Sequence, residues 1–105
     1  MILYDRSRPP RSVVTNTSER IHRGPALIVG AIFSGTASKP RGYVYDGGNA
    51  NGVLKLRLEA LQYMSFSPFI LDGIECLSGI YVAPDADSSY ITLLYYPGSD
   101  APDAP

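Results

Sequence analysis

Apolar and polar residues alternate along much of this chain with the period of two that is typical of β-strands. In VLKLRLEAL, Leu54, Leu56 and Leu58 fall on one face and Lys55 and Arg57 on the other. A helix would spread the same leucines around most of its circumference. The pattern therefore predicts a strand whose three leucines point into the core.

Two further segments also have the composition of strands. SSYITLLYY is rich in β-branched and aromatic residues and ends at Pro97, and ALIVGAIF is a continuous apolar run that suits a buried strand. Gly30 within that run indicates a bulge or a close contact. Candidate strands cover residues 13–23, 26–34, 42–46, 53–60, 62–66, 69–76, 79–83 and 89–96. Roughly seven or eight short strands separated by turns predict an all-β fold, a single antiparallel β-sandwich of the jelly-roll or immunoglobulin-like kind.

The two ends of the chain differ from its middle. The length of 105 residues suits one domain. DRSRPPR near the start is basic and proline-bound, and PGSDAPDAP at the end is acidic with little apolar surface to bury. We expect a sandwich over residues 13–97, an extended N-terminal arm over 1–12 and an acidic C-terminal tail over 98–105. The arms are either flexible or ordered by a neighbouring protein.

The charges are distributed unevenly. All nine Lys and Arg lie at or before Arg57, whereas seven of the ten carboxylates follow it. A basic start can indicate nucleic-acid binding, but no aromatic residues interleave with the first arginines, and the pI of the chain is about 5.6. The pattern favours docking of the basic arm on an acidic protein over binding to nucleic acid.

The loop YDGGNANGV combines a carboxylate with two amides, which are groups that could hold a metal or a sugar. Each polar residue there also has a conformational role, because Asp46-Gly47 and Asn51-Gly52 are turn pairs and Asn-Gly is preferred in tight hairpins. We predict a turn. A second acidic cluster, with Asp85 and Asp87, lacks the Gly and Glu of a calcium loop and is predicted to be a solvated turn.

No set of residues indicates catalysis. His22 is the sole histidine, predicted to be a surface or interface side chain, and Cys76 is the sole cysteine, predicted to be a buried and unreactive thiol. The sequence shows no nucleophile–base pair, zinc-ligand set or phosphate-binding loop, and no signal peptide or membrane span. We therefore expect a soluble protein of a reducing interior that is not an enzyme and needs no cofactor.

The candidate binding residues lie at the N-terminus and on the tyrosine-rich strands. Eight tyrosines are many for a core of this size, and tyrosine is enriched at protein interfaces, although ordinary sheet-face tyrosines explain them equally well. The arm offers an apolar tip and arginines whose forked donors suit carboxylates. The predicted partner-binding residues are Ile2, Leu3, Tyr4, Arg6, Arg8, Arg11, Tyr95 and Tyr96.

Four segments carry a resemblance to a known class of proteins. RIHRGPALIVGAIFSG, GYVYDGG, ILDGIECLSGIYVAP and YITLLYYP resemble small β-sandwich proteins encoded among the structural genes of tailed bacteriophages. The likeness covers residues 21–97 and leaves out both arms. It implies no catalytic residues.

The resemblance implies a structural component of a phage virion. The first expectation is a capsid decoration, or cement, protein that binds the major capsid protein or other virion proteins, forms a homo-oligomer and contacts neither nucleic acid nor membrane. The alternatives are a collar or tail accessory and a receptor- or carbohydrate-binding module.

Overall fold

The structure is a computed structural model that describes residues 2–36, 40–60, 65–66, 69–85 and 89–100. These residues form ten strands. They are β1 (Ile2–Tyr4), β2 (Arg11–Thr15), β3 (Glu19–Arg23), β4 (Ala26–Gly35), β5 (Arg41–Asp46), β6 (Val53–Glu59), β7 (Ser65–Phe66), β8 (Phe69–Cys76), β9 (Gly79–Pro84) and β10 (Ser89–Asp100). Within these ranges there is no helix long and apolar enough to cross a membrane.

The strands make two antiparallel sheets that pack face to face, which confirms the predicted all-β sandwich. The large sheet has the order β2-β10-β4-β8, with β1 added beside β10 and β7 beside β4, and the small sheet has the order β3-β9-β5-β6. The pairs β5–β6, β4–β8, β3–β9 and β2–β10 are nested inside one another along the chain. This is one long hairpin wrapped into two sheets, the jelly roll, and the strand order therefore excludes an immunoglobulin-like connection.

The predicted single strand over residues 13–23 is two strands in different sheets. Thr15 ends β2, and its Oγ1 accepts the backbone N–H of Thr17 at 3.2 Å in the corner between them. Such side-chain bonds to a nearby backbone group are typical of turns. The corner carries the chain from the large sheet to the small one.

The core lies between the sheets and draws on both. The large sheet contributes, among others, Ile28, Phe33, Ile91 and Leu93, and the small sheet contributes Val44, Leu58, Ile80 and Val82. A Cβ atom at Gly42 would lie only 2.9 Å from Cδ1 of Ile91 and 3.0 Å from Cε1 of Phe33. Glycine at this position lets the two sheets approach closely.

A bulge in β4 confirms the interpretation of Gly30. The register of β4 against β10 places Leu94 opposite Gly30 but Tyr95 opposite Ile28, so Val29 is the extra residue. The bulge changes which positions face inward, and both Ile28 and Ala31 consequently belong to the core.

A second bulge, in β6, overturns part of the leucine prediction. Leu58 is fully buried and Leu56 packs against the core, as predicted. Leu56 pairs with Val44, but the next pair is Leu54 with Tyr45, which makes Lys55 an extra residue. Leu54 is thereby turned to the outer face and is 48% exposed, so its predicted place in the core is wrong.

The terminal segments pair with each other within the chain. Residues 2–4 run antiparallel to residues 100–98, so β10 extends to Asp100, and β2 begins at Arg11. The expected boundaries after residues 12 and 97 therefore fall inside strands. β1 is ordered by β10 of the same chain and not by a neighbouring protein, because β10 supplies the backbone groups that it needs. Residues 101–105 of the acidic tail lie outside the described residues.

Candidate partner-binding surface

Residues 5–10 form a loop that stands out from the large sheet, and we call it the basic loop. β1 pairs with residues 98–100 of β10, and β2 pairs with residues 91–95 of the same strand. Only Tyr96 and Pro97 are left opposite the six loop residues. The loop has to arch away from the sheet because it is longer than the stretch of β10 that it spans.

A turn at Asp5 shapes the start of the basic loop. The Asp5 carboxylate accepts the backbone N–H of Ser7 at 3.0 Å and also the Ser7 hydroxyl. The Arg8 Nε lies 3.9 Å from the same carboxylate, an exposed pair that contributes little stability. The hydrogen bonds from Ser7, with the nearby Arg8 charge, lower the pKa of Asp5.

Two side-chain contacts attach this part of the chain to the outer face of the large sheet. The Tyr4 hydroxyl donates to Glu75 Oε2 at 2.7 Å, and burial together with this bond raises the pKa of Tyr4. The Arg6 guanidinium carbon lies 5.5 Å from the centre of the Tyr96 ring, which is cation–π geometry. The loop is therefore held in place before any partner binds.

A cleft of about 210 Å³ opens beside the basic loop. Its lining residues are Asp5, Arg8, Pro9, Arg11, Tyr96 and Pro97. Small-molecule sites typically have volumes of roughly 300–1,000 Å³ and apolar walls, so this cleft is small for a substrate. Two arginines beside an aromatic ring and prolines suit a carboxylate-bearing side chain of a protein partner.

The structure brings four of the eight predicted binding residues together, since Arg6, Arg8 and Arg11 are exposed around Tyr96. Leu3 is 49% exposed on β1, where alternation turns it to the face opposite Tyr4. Ile2 lies on β1, paired with Asp100. Tyr4 is partly buried and engaged with Glu75.

Tyr95 does not belong to this surface. It is 3% exposed in the core, and its ring centre lies 5.3 Å from that of His22. Alternation along β10 turns Tyr95 inward and Tyr96 outward, so its predicted interface role is wrong. His22, predicted to be a surface or interface side chain, is partly buried: the bulge at Ile21 aligns it with buried Ile80, and its imidazole packs against Tyr95.

The loop over residues 46–52 is a turn, as predicted, but the conformation differs from a tight Asn-Gly hairpin. Asn49 begins the turn: its backbone oxygen accepts the N–H of Gly52 at 3.2 Å, and its side chain accepts the N–H of Asn51 at 2.8 Å. Asn51 and Gly52 are thus the third and fourth residues of a four-residue turn. Asn at the first position and Gly at the fourth are common preferences of such turns.

Asp46 has a role that the sequence did not indicate. Its Oδ1 accepts the backbone N–H of Ser78 at 2.8 Å, and its Oδ2 accepts that of Leu77 at 3.0 Å. These bonds tie the turn between β8 and β9 to the end of β5. Gly79 completes the turn with φ of 144°, and a Cβ there would lie 2.6 Å from the backbone oxygen of His22.

The outer face of the small sheet carries a row of tyrosines that sequence analysis also missed. The ring centre of Tyr45 lies 6.4 Å from those of both Tyr43 and Tyr81, and Leu54 is opposite Tyr45. We call these four residues the tyrosine face. The spacing of Tyr43 and Tyr45 placed them on one side of a strand, but the pairing of β5 with β9 that adds Tyr81 was not readable from sequence.

Two other predictions concern possible reactive or metal-binding groups. Cys76 is fully buried, as predicted, and burial, with a smaller effect of the Asp46 charge, raises its pKa to about 11. Asp85 is exposed at the end of β9, and Asp87 lies outside the described residues. Among the residues that the structure describes, no group of three or more His, Cys, Asp or Glu side chains could hold a metal ion.

Comparisons of this chain with protein-family models, with curated proteins and with solved structures gave no match.

Proposed function

We propose that this protein is a non-enzymatic structural component of a phage virion, a capsid decoration protein that docks on the major capsid protein or a neighbouring virion protein. One observation carries this proposal. Arg6 and Arg8 of the basic loop and Arg11 at the start of β2 are displayed around Tyr96, and the Tyr4–Glu75 and Arg6–Tyr96 contacts already hold this segment in place.

A prepositioned loop suits a binding protein. Ordering a flexible arm on binding typically opposes association by about 0.5–1.5 kcal/mol for each immobilised side chain. The contacts of Tyr4 and Arg6 reduce that loss. Arginine is also enriched at protein interfaces and offers forked donors to carboxylates.

The jelly roll and the resemblance of residues 21–97 to phage structural proteins support the virion setting. Jelly rolls occur in viral capsid domains and also in lectins and cupins, so the fold by itself selects no function. The buried core and the short connections between sheets suit a rigid spacer that adds interface area between subunits. In this proposal the protein is made in the host cytoplasm and acts in the virion, as a homo-oligomer and without a cofactor.

A receptor- or carbohydrate-binding module is the second candidate, and the tyrosine face favours it. Sugars stack on exposed aromatic rings, and three neighbouring tyrosines provide such rings. The rings are tilted by 36° and 52° to one another, however, and are only partly exposed, so they form no flat platform. A glycan array probed with the labelled full chain tests this candidate.

The location of the protein in an intact particle tests the proposed function. Particles are purified through a density gradient, the chain is quantified against the major capsid protein by mass spectrometry, and its density is sought by electron cryo-microscopy. The proposal predicts many copies on the outer capsid surface. Absence from gradient-purified particles, or confinement to the tail, would overturn it.

A further inference from the structure

The tyrosine face lies on the opposite side of the sandwich from the basic loop. Tyr81 is flanked along β9 by the core residues Ile80 and Val82, so its side chain points away from the large sheet. Every described strand belongs to one of the two sheets, and none of them packs on this outer face. No described strand covers this surface, and it is therefore open to another molecule.

The composition of this surface is that of a protein interface. Tyrosine and arginine are enriched at interfaces and dominate their binding energy. Here the row formed by Tyr45 and Tyr81 ends in Leu54, which is 48% exposed. Aromatic and aliphatic groups thus meet in one exposed patch.

Cationic side chains border the patch. The register places Arg20 opposite Tyr81 and Arg57 opposite Tyr43, and Arg41 precedes Tyr43 by two residues on the same face of β5. Glu59 is opposite Arg41 and lies 2.9 Å from Arg57 and 3.8 Å from Arg41, at the end away from Tyr45. The three arginines outnumber this carboxylate, although the whole chain has a net charge of −1.

We propose that the tyrosine face binds an acidic surface of a second protein, so that the chain joins two partners through opposite sides of its sandwich. This inference rests on the proposed function, because a decoration protein that stabilises contacts between subunits needs two attachment surfaces. The basic loop on the large sheet is one, and the tyrosine face on the small sheet is the other.

Charge and ring geometry identify the partner as an acidic protein. A second copy bound through the same face would bring Arg20, Arg41 and Arg57 of the two copies together, which is electrostatically unfavourable. Single-stranded nucleic acid stacks its bases on exposed aromatic faces. Here neighbouring ring centres are 6.4 Å apart, the rings are tilted toward one another and each is half-buried, so they do not suit base stacking. Carboxylates of a protein pair with the bordering cations and accept from the tyrosine hydroxyls.

Titration of the isotope-labelled full chain tests this surface without a particle. Hexaglutamate is added at low ionic strength while backbone amide shifts are followed by NMR, with hexalysine and hexathymidylate as comparison probes. We expect hexaglutamate to shift amides of β5, β6 and β9, and the double variant Arg20→Ser/Arg57→Ser to weaken that binding roughly tenfold. Tyr45→Ser/Tyr81→Ser should weaken it too, without any change in charge.

The matched control is Arg6→Ser/Arg8→Ser, which removes the same charge from the other side of the sandwich. It should leave the shifts on β5 and β9 unchanged, and amide dispersion shows that each variant is folded. Three results would overturn the inference: hexaglutamate shifts confined to residues 5–11, equal losses in both arginine variants, or tighter binding of hexathymidylate. None of these depends on whether the protein is found on a capsid, so the failure of this inference is distinguishable from that of the proposed function.

Discussion

The carboxylate of Asp46 accepts the backbone N–H of Ser78 at 2.8 Å, joining two turns that are 32 residues apart in the chain. The second oxygen of the same carboxylate accepts the N–H of Leu77. The loop that contains Asp46 therefore has a structural role beyond its own turn, as an anchor for the connection from the large sheet to the small one.

Replacing Asp46 with Asn should destabilise the protein by about 1–2 kcal/mol, because an amide has one acceptor oxygen where two N–H groups need partners. The free energy of unfolding of Asp46→Asn, from urea titration, checks it. Asn49→Asp is the matched control, since it keeps the acceptor for Asn51; an equal loss in both variants would contradict the anchoring role.

The leucines of β6 should differ in their contribution to stability according to the bulge at Lys55. Leu58→Ala should cost about 2–5 kcal/mol, because it leaves a cavity in the core. Leu56→Ala should cost less, and Leu54→Ala should stay within about 0.5 kcal/mol of the wild type, since Leu54 is on the outer face. Urea titrations of the three variants measure the order, and a large loss for Leu54→Ala would mean that β6 has no bulge.

Composition identified β4 and β10 as strands. Periodicity supported the fold class because strands bury alternate side chains, and it correctly turned Leu56 and Leu58 toward the core. It failed where an extra residue changes the alternation, as at Lys55, and where a strand turns a corner at Thr15. The arginines and prolines of residues 5–10 predicted an extended arm, and not the loop between two strands that the structure shows. The attachment of this loop through Tyr4 and Glu75 joins residues 71 positions apart, and no local pattern encodes such a contact.

The buried thiol of Cys76 should make the free energy of unfolding fall as the pH rises above 9.0, the ordinary pKa of a cysteine. Its pKa is raised from 9.0 to about 11 in the folded protein, so between these values the unfolded chain releases a proton that the folded chain keeps. The stabilising contribution is complete below pH 9 and is lost as the pH rises through 11. Urea titrations of wild type and Cys76→Ala between pH 8 and 11 measure the difference; identical pH dependence would contradict the burial of a protonated thiol.

The Tyr4–Glu75 bond should protect β1 from opening. In Tyr4→Phe the hydrogen bond is lost while the ring remains, and amide exchange of residues 3–4 should become roughly fivefold faster for a bond worth about 1 kcal/mol. Because the pKa of Tyr4 is raised above 10.0, the bond persists below that pH and weakens only in more alkaline solution. Tyr90→Phe is the control on the same sheet, and equal exchange rates in all three proteins would show that the bond does not hold β1.

The salt dependence of particle binding tests the role of the basic loop most directly. Purified particles that lack the chain are incubated with wild type, with Arg8→Ser/Arg11→Ser, or with the control Arg23→Ser, whose exposed arginine lies on the small sheet. Occupancy is measured at about 50 mM and 500 mM salt, where the Debye length falls from roughly 14 Å to 4 Å. We predict that wild type and Arg23→Ser bind well at low salt and lose occupancy at high salt, while the double variant binds weakly at both. Equal occupancy of all three proteins at both salt concentrations would contradict attachment through the basic loop.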